Sequence, residues 1–123
     1  MNGDLEMRRI YEPAEPADGA RILVDRLWPR GISKEKAALT RWEKEITPSP
    51  ELRKWFGHEP ERFSTFAELY RKELDANPDG EGFVAEIQEL LKSGNVTLLY
   101  AAKDPNCNHV LILKEWIEER LKR

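Results

Sequence analysis

The segment Asn95-Val96-Thr97-Leu98-Leu99-Tyr100-Ala101-Ala102-Lys103-Asp104-Pro105-Asn106-Cys107-Asn108-His109 joins an apolar run to a polar loop, and that junction sets the architecture. Val96 to Ala102 is almost unbroken in its hydrophobicity and is bounded by Gly94-Asn95 and Lys103-Asp104. A strand buried on both faces of a parallel sheet fits such a run better than the alternation of a half-exposed strand. Beyond the loop, Val110, Leu113, Ile117 and Leu121 recur at helical spacing with Trp116 beside them, which predicts a closing helix. A strand running through a polar loop into a helix concentrates backbone N–H groups at one edge of a sheet.

Upstream, two further apolar stripes predict helices. Phe63, Phe66, Ala67, Tyr70 and Leu74 form one, opened by Pro60; Phe83, Val84, Ile87, Leu90 and Leu91 form the other, ended by Gly94. Asn77-Pro78-Asp79-Gly80 separates them. Thr47-Pro48-Ser49-Pro50 stops regular structure, and Ser49 as N-cap with Pro50 at the first helical position starts a short helix through Phe56, capped by Gly57. Ser33 caps a short helix over Lys34–Leu39, and Leu39–Ile46 reads as an edge strand. Ala20–Trp28, with Ile22, Leu23 and Val24 consecutive, is a second covered strand, and Arg8–Glu12, stopped by Pro13, is the first. Strands, then helices, then strand and helix predict an α/β fold: a small, mostly parallel sheet with helices packed on it, a Rossmann-like three-layer sandwich in one domain over residues 1–123. In open sheets of this kind ligands bind outside the carboxyl ends of the strands.

The 123 residues are 40% hydrophobic and 35% charged with a net charge of -3, which describes a globular chain with a heavily charged surface. The acidic balance argues against a general nucleic-acid binder, though it leaves room for a local basic pocket. No apolar run is long enough to span a bilayer, and Met1-Asn2-Gly3-Asp4 has no basic-then-apolar signal pattern. With a single cysteine and no export signal, a reducing cytoplasm is the expected location. Two histidines and one cysteine, widely spread, show no metal-ligand spacing, and no Walker loop, dinucleotide fingerprint or Gly-x-Ser-x-Gly elbow occurs.

Two polar clusters fall at predicted strand ends. In Asp25-Arg26-Leu27-Trp28-Pro29-Arg30-Gly31, the arginines offer bidentate donors to a phosphate or carboxylate, and Asp25 either holds an arginine or acts as a base. The competing reading is an internal Asp–Arg pair with Trp28 and Pro29 as packing. In Lys103-Asp104-Pro105-Asn106-Cys107-Asn108-His109, Asp104, Asn106 or Asn108 caps the helix, whose free N–H groups and positive end make an anion site. Lys103 adds a charge and His109 a group that titrates near neutral pH. Capping alone accounts for Asp104 or Asn108 but leaves His109 unexplained. A Cys107–His109 nucleophile is disfavoured, because positions two apart on a helix point about 200° apart. His58 reads either as a lid residue or as a loop histidine beside aromatic packing.

Three stretches carry a family resemblance: Arg21-Ile22-Leu23-Val24-Asp25-Arg26-Leu27-Trp28-Pro29-Arg30-Gly31, Glu51-Leu52-Arg53-Lys54-Trp55-Phe56-Gly57-His58, and Thr97-Leu98-Leu99-Tyr100-Ala101-Ala102-Lys103-Asp104 with Asn108-His109. Together they resemble the YeaO-like branch of domain-of-unknown-function family 488, over nearly the whole chain. The resemblance implies a small bacterial or archaeal, cytoplasmic α/β protein and no established activity. A longer branch of that family has a Val-Asp-Val-Arg-like strand end, aligned here with Val24-Asp25-Arg26, and a Cys-His-Arg-like motif that falls on Asn108-His109-Val110. Asn108 thus stands in place of the cysteine and Val110 in place of the arginine. Tyr100 sits where that branch often has another cysteine, and Cys107 is one place off. Thiol chemistry does not carry over; an acid, an arginine and a histidine at two strand ends do.

The resulting expectation is an enzyme, or former enzyme, with an anion- or nucleotide-binding pocket at the carboxyl ends of the strands. Arg26, Arg30, Lys103 and Asn108 bind the anion, Trp28 and Tyr100 wall the pocket, and Asp25, Asp104 and His109 handle protons. The alternative is a non-catalytic small-ligand-binding module using the same pocket. No cofactor, metal ligand or oligomeric state is read from the sequence, and turnover is left open. All of this depends on the two strand ends being neighbours.

Overall fold

A computed structural model of the chain describes residues 3–122; Met1, Asn2 and Arg123 lie outside the described residues. Four strands, β1 (Leu5–Arg9), β2 (Ala20–Leu23), β3 (Arg41–Trp42) and β4 (Val96–Tyr100), form one sheet in the order β1-β4-β2-β3. Every pairing is parallel. The helices are α1 (Lys34–Ala37), α2 (Pro50–Phe56), α3 (Phe63–Ala76), α4 (Gly80–Leu91) and α5 (His109–Leu121), with 3₁₀ turns at Pro16–Asp18 and Pro60–Arg62.

β4 is interior, paired on both sides, and all five of its residues are buried. That is why its sequence is continuously apolar. Val96, Leu98 and Tyr100, with Ile22 and Val24, face the larger core built from α2 to α5. Leu99 and Leu23 face a smaller core with Ile10 and Ala37, backed by Trp28, Ile32, Leu39 and Trp42. The sheet is therefore covered on both sides, thickly by long helices and thinly by α1 and loops.

The crossover from β1 to β2 is held by charge. Buried Asp18 accepts from Arg8 Nη1 at 2.6 Å and from Arg21 Nη1 at 2.5 Å. Its backbone carbonyl takes the hydroxyl of buried Thr97 at 2.7 Å. Burial alone would raise the Asp18 carboxyl, but the Glu15 N–H and the two guanidinium groups outweigh it and hold it below the ordinary value. The strap ends at Gly19, where φ is +64° and a Cβ would sit 1.9 Å from Asn95 O, so only glycine fits.

Several boundaries differ from the sequence reading. The first strand is Leu5–Arg9 instead of Arg8–Glu12; at the sheet edge only alternate residues, Leu5 and Met7, face the larger core, a pattern too short to stand out in the sequence. β2 stops at Leu23 instead of Trp28, although Val24 still donates its N–H to Leu99 O. The expected strand Leu39–Ile46 reduces to two residues, at the edge as anticipated. β4 ends at Tyr100, and Ala101-Ala102 belong to the loop. Pro60 opens a 3₁₀ turn before α3. Of the three cap candidates for α5, Asn108 is the one used: its Oδ1 accepts from Val110 N at 2.9 Å and Leu111 N at 3.3 Å. Asp104 closes the preceding turn instead, accepting Asn106 N on Oδ1. Among the described residues, no helix is long and apolar enough to cross a membrane.

Candidate functional site

Because β2 and β4 are adjacent and parallel, their carboxyl ends lie side by side, and the loops 25–31 and 101–109 meet there. Asp25 ties the two ends together. Its Oδ2 accepts from Ala101 N at 2.8 Å, replacing the backbone ladder that stops at Val24. Its Oδ1 lies 3.5 Å from His109 Nε2. Trp42 Nε1 donates to the Asp25 carbonyl at 2.7 Å and fixes the backbone of the turn.

His109 is the first residue of α5, and its Nε2 is 2.6 Å from Val24 O. A carbonyl only accepts, so Nε2 carries the hydrogen and Nδ1 of the neutral ring keeps the lone pair. The ring packs edge-on to buried Tyr70, centroids 6.1 Å apart. Burial pushes the imidazole below its ordinary pKa, with Asp25 pulling the other way. Burial also raises the Asp25 carboxyl, opposed by His109, the Ala101 N–H and the charges of Arg53 and His58.

Around this pair runs a crevice of about 920 Å³. Asp25, Arg26, Trp28, Arg30, Lys103, Asp104, Asn108 and His109, all picked from the two sequence clusters, line it together. Tyr100 does not; it is 3% exposed and packs in the larger core, because its position in β4 points it to the helix side. Asn108 is buried and spent on capping, and Trp28 donates Nε1 to Ile32 O while meeting Trp42 edge-on at 5.3 Å. Cys107 is buried and absent from the lining; burial and Asp104 push its thiol pKa up, which removes the thiolate.

The wall that sequence reasoning missed comes from α2 and its flanks: Thr47, Pro48, Arg53, Lys54 and Phe56. Its signal was present in Glu51–His58, one of the three family-like stretches, whose basic pair was given no role. His58, weighed both ways above, lines the crevice from an exposed left-handed position, φ +58°.

The electrostatics are lopsided. Five cations, Arg26, Arg30, Arg53, Lys54 and Lys103, line the crevice against the carboxylates of Asp25 and Asp104. Among the described residues, none of the five makes an ion pair with a carboxylate. Elsewhere, Arg8, Arg21, Arg41, Arg71 and Arg120 are paired with carboxylates, and Arg9 and Arg62 donate to backbone carbonyls. The Nε atoms of Arg26 and Arg53 are closed off from solvent with no hydrogen-bond partner. A buried donor left unmade costs about 1–3 kcal/mol, so such groups call for an explanation. Among the described residues, no group of three or more His, Cys, Asp or Glu side chains is placed to hold a metal ion.

The family description that matches the chain, "Inactive DUF488-N3 subclade" (DUF488-N3i), aligns over residues 4–123. The chain is 49% identical over 114 residues to "Uncharacterized protein YeaO" of Escherichia coli (strain K12), covering 93% of this chain and 96% of that protein. It is 37% identical over 116 residues to "Uncharacterized protein Rv3073c" of Mycobacterium tuberculosis (strain ATCC 25618 / H37Rv), covering 94% and 95% respectively. The same identity and coverage hold for "Uncharacterized protein Mb3100c" of Mycobacterium bovis (strain ATCC BAA-935 / AF2122/97). No solved structure matches the chain.

Proposed function

The chain belongs to the DUF488-N3i family, and from that premise we propose that it is a non-catalytic binding module for a small anionic ligand, held at the carboxyl ends of β2 and β4. The observation that carries this reading is the set of five crevice cations that make no ion pair among the described residues. Unpaired guanidinium and ammonium groups in a concave site attract and orient an anion, and the low-dielectric walls strengthen that attraction. Arg26, Arg30 and Lys103, the ligand-binding residues expected from sequence, take this role, joined by Arg53 and Lys54.

The same geometry supports binding over turnover. The one thiol is buried, protonated and off the crevice. Asp25 is occupied by the Ala101 N–H, and His109 is held against the Val24 carbonyl. The word "inactive" in the family description agrees with this. An enzymatic reading, with Asp25, Asp104 and His109 moving protons, is favoured by one observation, the 3.5 Å approach of His109 Nε2 to Asp25 Oδ1.

The test is thermal unfolding at constant ionic strength with inorganic phosphate, pyrophosphate and a mononucleotide panel. A ligand at 100 times its Kd raises stability by about 2.7 kcal/mol. The expected result is a shift in the parent protein that is lost in Arg26→Ala with the fold retained. No shift with any anion would overturn the assignment. Conversion of a bound ligand to product, abolished in His109→Ala, would replace binding with catalysis.

A further inference from the structure

Two of the arginines lining the crevice make no ion pair among the described residues, and they point to which cations do the gripping. Arg26 leaves the end of β2 and Arg53 stands on α2, so separate elements deliver two guanidinium groups to one crevice. Each keeps an Nε–H without an acceptor, although acidic residues make up a large share of the chain. Among the described residues, neither crevice carboxylate, Asp25 or Asp104, makes an ion pair with either guanidinium. Both Asp25 oxygens face the Ala101 N–H and His109, and the Asp104 Oδ1 and carbonyl serve Asn106 and Asn108.

The parts of these guanidinium groups that line the crevice are open to an acceptor from outside the chain. It must offer several oxygens in the fork geometry that guanidinium groups match. Two arginines flanked by Arg30, Lys54 and Lys103 suit a dianion better than a single carboxylate. A crevice of about 920 Å³ is too large for an inorganic oxyanion alone and falls in the range of organic-ligand sites. Trp28, Tyr11 and Pro50, all at least partly exposed, give the lining flat and apolar surfaces suited to an unsaturated ring.

We infer that Arg53, together with Arg26, clamps the phosphate of an organic phosphate monoester whose flat, unsaturated body lies along the aromatic part of the crevice. This rests on the anion-binding reading above and adds to it a residue and a ligand class. Arg53 is the discriminating residue, since among the described residues its guanidinium makes no ion pair and its Nε no hydrogen bond, which leaves it to serve the ligand.

The experiment is calorimetric titration of the full chain, at fixed ionic strength, with four probes: inorganic phosphate, ribose 5-phosphate, adenosine 5′-monophosphate and adenosine. The parent protein is expected to bind adenosine 5′-monophosphate at least tenfold more tightly than inorganic phosphate, with ribose 5-phosphate between them and adenosine silent. Arg53→Met is expected to lose at least tenfold in monoester affinity while melting at or above the parent temperature. Arg53→Lys is expected to recover only part of the binding, because a point charge cannot replace a fork. Phosphate binding with no gain from either ester would overturn this inference and leave the anion-binding reading standing. Silence with all four probes would overturn both. Unchanged monoester affinity in Arg53→Met, or a melting temperature well below the parent with affinity intact, would show Arg53 to be structural and overturn the inference.

Discussion

At the amino end of β2, Arg8 and Arg21 share Asp18; at its carboxyl end, neither Arg26 nor Arg53 makes an ion pair among the described residues. The first region is a closed account of charge. Arg21 is 4% exposed, yet its Nη1 meets Asp18 and its Nε donates to Ala37 O at 2.9 Å, leaving only Nη2 without an acceptor. In the second region Asp25 is tied to β4 and α5 instead of to the arginines. Buried cations matched inside the chain lock the crossover strap, whereas cations left unmatched around a crevice await something else. The two regions use the same side chain in opposite ways, and the difference lies in where the carboxylates were spent.

The largest expected consequence is at the closed end. Asp18→Ala strands a buried guanidinium and should cost about 3–5 kcal/mol, read from urea unfolding. A loss below about 1 kcal/mol would erase the distinction between the two ends. Because folding lowers the Asp18 pKa, its contribution is complete above the ordinary aspartate value of about 3.9 and is lost as pH falls through the folded value. Acid unfolding of Asp18→Asn should show that component removed.

Next in size is Asp25→Ala, which leaves the half-buried Ala101 N–H without its acceptor and should cost about 1–2 kcal/mol. His109 supplies a pH signature at the same end. Its folded pKa is depressed, so its contribution is present above the ordinary histidine value of about 6.5 and declines as pH falls from there through the folded value. His109→Gln should flatten that part of the stability profile, measured by urea midpoints across the range. A profile unaltered by the substitution would mean that the ring is not held neutral by burial.

The smallest stability change belongs to the open end. Arg26→Met replaces an unpaired guanidinium with an apolar chain and should stay within about 1 kcal/mol of the parent, on the stabilising side. A large loss would show that Arg26 is paired in solution and that the two ends do not differ in kind.

Much of the architecture was legible locally. Ser33, Ser49-Pro50 and Gly57 act as the caps their chemistry dictates: Ser33 Oγ accepts from Lys36 N, Ser49 Oγ from Leu52 N, and Gly57 takes a left-handed φ of 52°. The helical stripes of α3, α4 and α5 and the buried run of β4 were equally plain, because apolar periodicity is written in the chain itself. β1 was misplaced because its bounds are set by pairing with β4, from Leu5 opposite Val96 to Arg9 opposite Tyr100, which no local pattern reports.

By itself, then, the sequence determined an α/β chain with a parallel, doubly covered central strand and polar clusters at two strand ends. Capping, turn chemistry and hydrophobic spacing act between near neighbours, so they can be read without coordinates. Only the tertiary structure decided that β4 inserts between β1 and β2, that α2 swings Arg53 and Lys54 over the same crevice, and that Tyr100 turns inward. Strand order and side-chain facing are settled by packing among residues far apart in the chain, and it is those long-range choices that turned scattered polar residues into one crevice.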